Sequence, residues 1–219
     1  MIKGILIDID NTLYDYDYTH SLAMDEVYKL AQNFTNLEVF KQAFIKARNI
    51  IHSQLINTAS SHNRLLYFQK TLELLKVKNV LLAKTLYDTY WNTFLSNLKM
   101  YEGVEEFFIK NNNKKICLVT DLTAYIQYRK IEKMGISKYV DFIVTSEEAG
   151  MEKPNCKMFK MALQKMEMQT NEVCMIGDSY EKDIVGAKNI NMKAYWLTNK
   201  ISNDENVYTF RTFKELRID

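Results

Sequence analysis

Hydrophobic and polar positions follow two different rhythms along this chain. At the start, Lys3-Gly4-Ile5-Leu6-Ile7 is a short apolar run rich in branched side chains, the pattern of a central parallel strand covered on both faces. After Leu13 the period lengthens. Val39, Phe40, Ala43, Phe44, Ala47, Ile50, Ile51 and Leu55 recur at the i, i+3, i+4, i+7 spacing of an amphipathic helix. Leu65, Leu66, Phe68, Leu72, Leu74 and Leu75 predict a second helix, residues 80–98 a further one, and residues 19–34 an earlier one that breaks at 33–36. Neither Gly nor Pro occurs between residues 16 and 99, so nothing in that stretch punctuates the helical pattern. The spacing predicts an all-helical block of about four helices inserted after the first strand.

From Tyr101 short apolar runs alternate with helical patterns. Gly103 precedes a short helix through Phe107 to Lys110, and three asparagines at 111–113 form a loop. Ile116-Cys117-Leu118-Val119 reads as a buried strand ending at Thr120-Asp121, and Ala124–Met134 as a helix stopped by Gly135. A strand at 141–145 ends at Ser146-Glu147, and a helix at 155–166 follows Pro154, the one proline. A strand at 173–176 ends at Gly177-Asp178-Ser179, a helix spans 182–190, and Lys193–Leu197 is the last strand expected. Strands alternating with helices predict a parallel sheet with right-handed crossovers. The fold class is therefore α/β, a three-layer Rossmann-like core at 1–15 and 100–219 with an inserted helical block at 16–99.

Composition narrows the function more by exclusion. With 29 basic against 27 acidic residues the net charge is +2, too balanced for a nucleic-acid or anionic-membrane surface. Only five of the basic residues are Arg, which fits a solvated surface better than a phosphate-backbone groove. The apolar content of 47% is enough for a sizeable core in 219 residues. The three cysteines show no metal-ligand spacing, and Cys117 and Cys174 fall inside apolar runs, so buried reduced thiols are expected. No charged-then-apolar leader precedes the first strand and no apolar run approaches membrane-spanning length, so a cytoplasmic protein is expected.

The chemistry gathers where the strands end. Residues two apart on a strand share a face, so Asp8 and Asp10 emerge side by side as the first strand runs out. Open α/β sheets bind ligands at that edge. Two such carboxylates repel and lose water on burial, so a stable fold keeps them with a cation or a shared proton. Thr120, Ser146 and Asp178 stand at the tips of later strands.

In this order the motifs resemble those of the haloacid dehalogenase superfamily of phosphohydrolases. Asp8-Ile9-Asp10-Asn11-Thr12 is similar to the first motif, Thr120 to the second, Lys153-Pro154 to the third, and Gly177-Asp178-Ser179 with Asp183 to the fourth. The helical block lies where the family's first type of cap is inserted. The resemblance implies a Mg²⁺-dependent phosphatase that passes through an aspartyl-phosphate on Asp8. Asp8, Asp178 and the backbone carbonyl of Asp10 would supply metal oxygens, with Asp183 orienting metal waters or Lys153. A carboxylate approaching a phosphate pays roughly 4 kcal/mol of repulsion per charge pair at about 4 Å in a partly shielded site. A hard divalent ion with retained waters removes most of that cost. Asp10, its pKa raised by its anionic neighbour, would act as general acid and base, which points to C–O–P rather than carbon–halogen chemistry. Thr120 would bind a phosphoryl oxygen, and Lys153, aimed by a helix-starting Pro154, would hold nucleophile and phosphate together. Asn11 would lie beside the phosphate.

Asp121 replaces the Asn common after the threonine and is expected to add negative charge at the phosphate site, and Asn191 stands where a helix-ending Gly is usual. Hinges are expected at 14–18 and 98–103. Among the cap's three histidines and two arginines, His20 and Arg64 are the candidates for contact with the leaving group, whereas Tyr87, Tyr90, Trp91 and Phe94 read as packing. The expected partner is a small phosphorylated molecule, with no nucleic acid or membrane, on a monomer or homodimer. A sugar phosphomutase on the same core and a non-catalytic phosphate-binding regulator are the rival readings.

Overall fold

A computed structural model describes residues 1–218. The chain divides into two compact units, one of Met1–Asp15 with Lys99–Asp219 and the other Tyr16–Leu98.

The first unit holds six parallel strands, β1 (Gly4–Ile7), β2 (Lys115–Thr120), β3 (Phe142–Thr145), β4 (Val173–Gly177), β5 (Lys193–Leu197) and β6 (Val207–Phe210), in the order β3-β2-β1-β4-β5-β6. All four residues of β1 are buried because β2 and β4 flank it and the helices of this unit cover both faces. One buried cluster joins Leu6, Val119, Met158, Phe159, Met175 and Ile184 across the sheet. Cys117 and Cys174 are buried free thiols, and burial pushes both up to about 12, so neither is a nucleophile. The reversal of strand order on either side of β1 puts the switch point of the sheet at the β1 and β4 tips.

Strand β6 is absent from the sequence reading. Its four residues bury only Val207 and Phe210 and expose the two between them, too short a pattern to register as a strand. It forms because its backbone pairs with β5 from Ala194↔Val207 to Leu197↔Phe210. The helix expected at 182–190 is also different. A π-helical turn, Tyr180–Ile184, runs into a short α-helix, Val185–Lys188. Asn191 takes the left-handed conformation with φ 56°, as an Asn replacing Gly must. The chain leaves and re-enters this unit through paired segments: Tyr14 bridges Met100, and Tyr101 N–H donates to the Leu13 carbonyl at 2.9 Å.

The second unit is helical. Helices α1 (Tyr16–Ala31), α2 (Leu37–Gln54), α3 (Arg64–Leu74) and α4 (Val80–Asn97) match the predicted block within a few residues at each end. Asn36, Asn63 and Asn79 each cap the following helix by accepting from its first free N–H groups, which is why the chain needs no Gly or Pro to delimit them. Helix α1 packs on α4 and α2 on α3 around Phe40, Phe44, Phe68, Tyr90, Trp91 and Phe94. Tyr87 is half-buried with its ring edge-on to Trp91. No helix among the described residues is long and apolar enough to cross a membrane.

Candidate active site

The switch point of the sheet carries the acidic cluster. Asp8 leaves β1 one residue after its end, Asp178 leaves β4 likewise, and Asp183 sits in the π-helical turn that follows. One carboxylate oxygen from each lies within 4.8 Å of the others. The turn is pulled tight by Asp183, whose N–H donates to Ser179 O at 2.9 Å while its Oδ2 accepts from Ser179 N–H at 3.1 Å. Gly177 makes room for it, since a Cβ there would lie 2.2 Å from Asp183 Oδ2. Thr12, fully buried, joins the two strand tips: its hydroxyl lies 3.2 Å from Asp8 Oδ2 and 3.1 Å from Asp178 Oδ1, and accepts from Asp178 N–H at 3.1 Å. A hydroxyl has one proton, so it serves one carboxylate at a time and keeps both within reach.

Lys153 reaches this cluster from the loop before the helix Cys156–Met166. Its ammonium donates to Asp8 Oδ1 at 2.5 Å and to Asp183 Oδ1 at 2.7 Å. Burial works against the charge of Lys153, but Asp183, Asp8 and Asp121 outweigh it and hold the ammonium protonated far above its usual range. Pro154 does not start the helix as expected. Asn155 does, by accepting from Lys157 N–H at 3.0 Å, and the Lys153 backbone is anchored separately through its N–H to Asp121 Oδ1 at 3.0 Å. Asp121 therefore acts on Lys153 rather than on the phosphate site. Its other oxygen accepts from Lys182 Nζ at 2.8 Å, so both of its oxygens have protein partners and its charge is answered.

Asp10 departs from expectation in a more consequential way. Its carboxylate is not part of the three-acid cluster but accepts from Lys130 Nζ at 2.6 and 2.9 Å, from Gln127 Nε2 at 3.2 Å, and from the Tyr14 hydroxyl. Burial pushes its pKa up, yet the Lys130 charge and these hydrogen bonds more than reverse that, so the carboxyl lies below its usual range rather than above it. Lys130 and Gln127 escaped the sequence reading although both are fully buried. They sit three residues apart on the helix Ala124–Met134 and share a helix face; two polar residues at core positions of an otherwise amphipathic helix are the available signal. Gln127 also donates to the Thr120 hydroxyl at 2.7 Å and to Asp121 O at 2.8 Å, which draws Thr120, Asp121 and Asp10 together. Asn11 follows with a left-handed φ of 61°.

His20 and Arg64 belong to the helical unit and meet around two tyrosines. His20 Nδ1 lies 2.7 Å from the Tyr90 hydroxyl and its ring stacks on Tyr16. Arg64 donates to His62 O at 2.9 Å and to the Tyr16 hydroxyl, with its guanidinium 5.1 Å from the centre of the Tyr67 ring and 5.6 Å from that of Tyr90.

The three acids form a donor set that fits a hard divalent cation. Lys130 answers Asp10 and Lys182 answers Asp121, so among the described residues Lys153 is the cation that faces Asp8, Asp178 and Asp183. With all three ionised, two negative charges stay uncompensated at close range. Burial above all, with mutual repulsion added, raises Asp8 to about 7 and Asp178 to about 6. An all-oxygen set short of two positive charges suits Mg²⁺ better than a soft metal.

A parallel α/β sheet with carboxylates and a lysine gathered at its switch point defines the class of protein: an α/β enzyme whose chemistry is done by acids at strand ends. The model of the haloacid dehalogenase-like hydrolases matches residues 5–197, and the chain belongs to that family. It is 32% identical over 200 residues to the ribulose-1,5-bisphosphate 5-phosphatase of Halopiger xanaduensis, covering 88% of this chain and 83% of that one. It is 29% identical over 196 residues to the glyceraldehyde 3-phosphate phosphatase of Methanocaldococcus jannaschii, with 88% and 83% covered. Among solved structures, a HAD phosphatase from Thermococcus onnurineus superposes with a TM-score of 0.69 at 22% identity, over 98% of this chain and 95% of that one. The magnesium-bound HAD-hydrolase YfnB of Bacillus subtilis gives 0.74 at 17% identity, over 98% and 96%.

Proposed function

We propose that this hydrolase is a Mg²⁺-dependent phosphatase of small phosphomonoesters that works through an aspartyl-phosphate on Asp8. It is an enzyme acting on phosphoric monoesters, a reading that the phosphatase relatives support. The observation that carries the route is the cluster in which, among the described residues, one cation, Lys153, answers Asp8, Asp178 and Asp183. Those three side chains, with the backbone carbonyl of Asp10, would hold the ion. When bound it supplies positive charge that lets an anionic nucleophile approach an anionic phosphate.

The residues of the chain do the rest. Asp8, pinned by Lys153 and Thr12, attacks phosphorus in line, and the ester oxygen leaves with a proton given up by Asp10. Water then attacks the aspartyl-phosphate and loses a proton to Asp10. Lys130 makes Asp10 a ready proton donor toward the leaving oxygen, and the proton that the attacking water then gives back to Asp10 closes the balance of each turnover. Thr120 spends its hydroxyl proton only on a long 3.3 Å contact to Asp121 O and is free to turn it toward a phosphoryl oxygen. Structural likeness to dehalogenases in the family bears on the fold alone; Asp10 favours the phosphoester. The buried free thiols and the lack of a membrane-length helix among the described residues support a cytoplasmic location.

The decisive experiment is Asp8→Asn, assayed for phosphate release across sugar phosphates, nucleotides and three-carbon phosphates. Loss of turnover by about 10³-fold or more is expected for a nucleophile. Release at the wild-type rate would end the proposal.

A further inference from the structure

At the carboxyl ends of β5 and β6 the sheet unit contains a cavity of about 440 Å³, two of whose wall residues, Asn11 and Asp178, belong to the site just described. Pockets of roughly 300–1,000 Å³ take small ligands. The rest of the wall comes from segments the chemistry leaves unused: 197–199 after β5, 211–214 after β6, and Tyr101 with Glu102.

The frame of this cavity is fixed while its polar tips are not. Trp196 Nε1 donates to Asp178 O at 2.8 Å, and Thr198 N–H donates to Phe210 O at 2.9 Å, tying the two strand-end segments together. Phe213 is buried edge-on to Phe107 and Phe210, at 5.3 and 5.5 Å between ring centres. Gly103, at φ 89°, lets the 211–214 segment lie close, because a Cβ there would stand 2.9 Å from Lys214 N. Lys214 is neutralised at the rim by Glu102. Arg211 is different. Its backbone N–H donates to Glu215 Oε2 at 3.4 Å, yet among the described contacts its guanidinium has no hydrogen bond or ion pair, and neither do the side chains of Asn199 and Thr212. In the sheet unit the site lysines 130, 153 and 182 are each paired with a carboxylate, whereas Arg211, exposed on the wall of the cavity that Asp178 also lines, is uncommitted among the described contacts.

We propose that this cavity is the subsite for a second anionic group on the substrate, a carboxylate or a second phosphate carried on a short hydroxylated chain, with Arg211 as its counter-charge and Asn199 and Thr212 as neutral hydrogen-bonding partners. The planar guanidinium fork matches either anion in a two-point contact. The proposal rests on the phosphatase reading and adds the class of substrate to it.

The test compares matched pairs on the full chain with Mg²⁺: 3-phosphoglycerate against glycerol 3-phosphate, and fructose 1,6-bisphosphate against fructose 6-phosphate. Wild type is expected to favour the doubly anionic member of one pair in kcat/KM, and that pair tells carboxylate from phosphate. Arg211→Gln should shrink the ratio within that pair by about 10- to 100-fold, the worth of a charge-assisted contact, and Arg211→Lys should restore part of it. A wild-type ratio near one in both pairs, or a ratio that Arg211→Gln leaves unmoved, would overturn the subsite. Calorimetric binding of 3-phosphoglycerate and fructose 1,6-bisphosphate to the Asp8→Asn protein gives a readout without turnover. Loss of affinity of about tenfold or more on adding Arg211→Gln supports the subsite, and unaltered affinity or no binding of either probe rejects it. Failure of the phosphatase reading shows instead as undiminished turnover in Asp8→Asn, whatever Arg211 does.

Discussion

Lys153 in the sheet unit, buried, and Arg64 in the helical unit, half-buried, are held by different means. In the sheet unit Lys153 is closed in with carboxylates, 2.5 Å from Asp8 and 2.7 Å from Asp183. In the helical unit Arg64 meets no carboxylate in any of its described contacts; hydroxyls, a carbonyl and two aromatic faces hold it, and its Nε is buried without a partner. Removing Lys153 strands like charges that have lost the one cation among the described residues that answers them, whereas removing Arg64 strands neutral groups. The difference is one of electrostatic demand, because only the first leaves charge that another ion could meet.

The comparison is sharpest at Lys153. Lys153→Met should cost about 3–5 kcal/mol at pH 8, the usual consequence of breaking a buried pair from one side. Asp8, Asp178 and Asp183 can take up protons once it is gone, so the loss should shrink at pH 5. Urea unfolding at the two pH values checks this, and an equal loss at both would mean the lysine matters mainly for its volume.

The next effect tests the proposed divalent ion. Asp8 and Asp178 have folded pKa values raised to about 7 and about 6, above their unfolded value of 3.8. For raised carboxylates the folded state holds more protons, so their contribution to stability falls as pH rises from about 4 to about 7. A bound divalent ion replaces those protons. Melting temperature measured with Mg²⁺ and with EDTA should therefore separate little at pH 5 and by several degrees at pH 8. A gap that is constant with pH would place the ion away from these two acids.

The smallest effect is expected in the helical unit. Arg64→Met should cost no more than about 1–2 kcal/mol and show no dependence on pH between 6 and 9, since it breaks hydrogen bonds to neutral partners. His20 is held down at about 4, by burial first and then by Arg64 and Arg48. Loss of Arg64 should raise it, with burial keeping it below its ordinary 6.5. Imidazole titration by NMR reads the shift, and an unmoved His20 would show that burial acts alone.

These contrasts also mark where the sequence could be read and where it could not. Local signals carry a long way: the change of hydrophobic period after Leu13 marks the helical block, and the strand tips at Asp8, Thr120 and Asp178 are legible because strand ends are set by short apolar runs. Strand β6 was invisible because pairing with β5 holds it in place, whereas its own four residues carry no clear strand pattern.

What the sequence by itself determined is the α/β class, the inserted helices and the set of acids at the sheet edge, since periodicity and strand-end position are properties of neighbouring residues. What only the tertiary structure decided is which charge answers which. Lys130 stands 120 residues from Asp10, and their pairing turns an expected rise in the Asp10 pKa into a fall. Lys182 likewise takes up the charge of Asp121 across 61 residues, and Lys153 is left with three acids. Coulomb energies depend on distance in space and on burial, and neither is written in the spacing of residues along a chain.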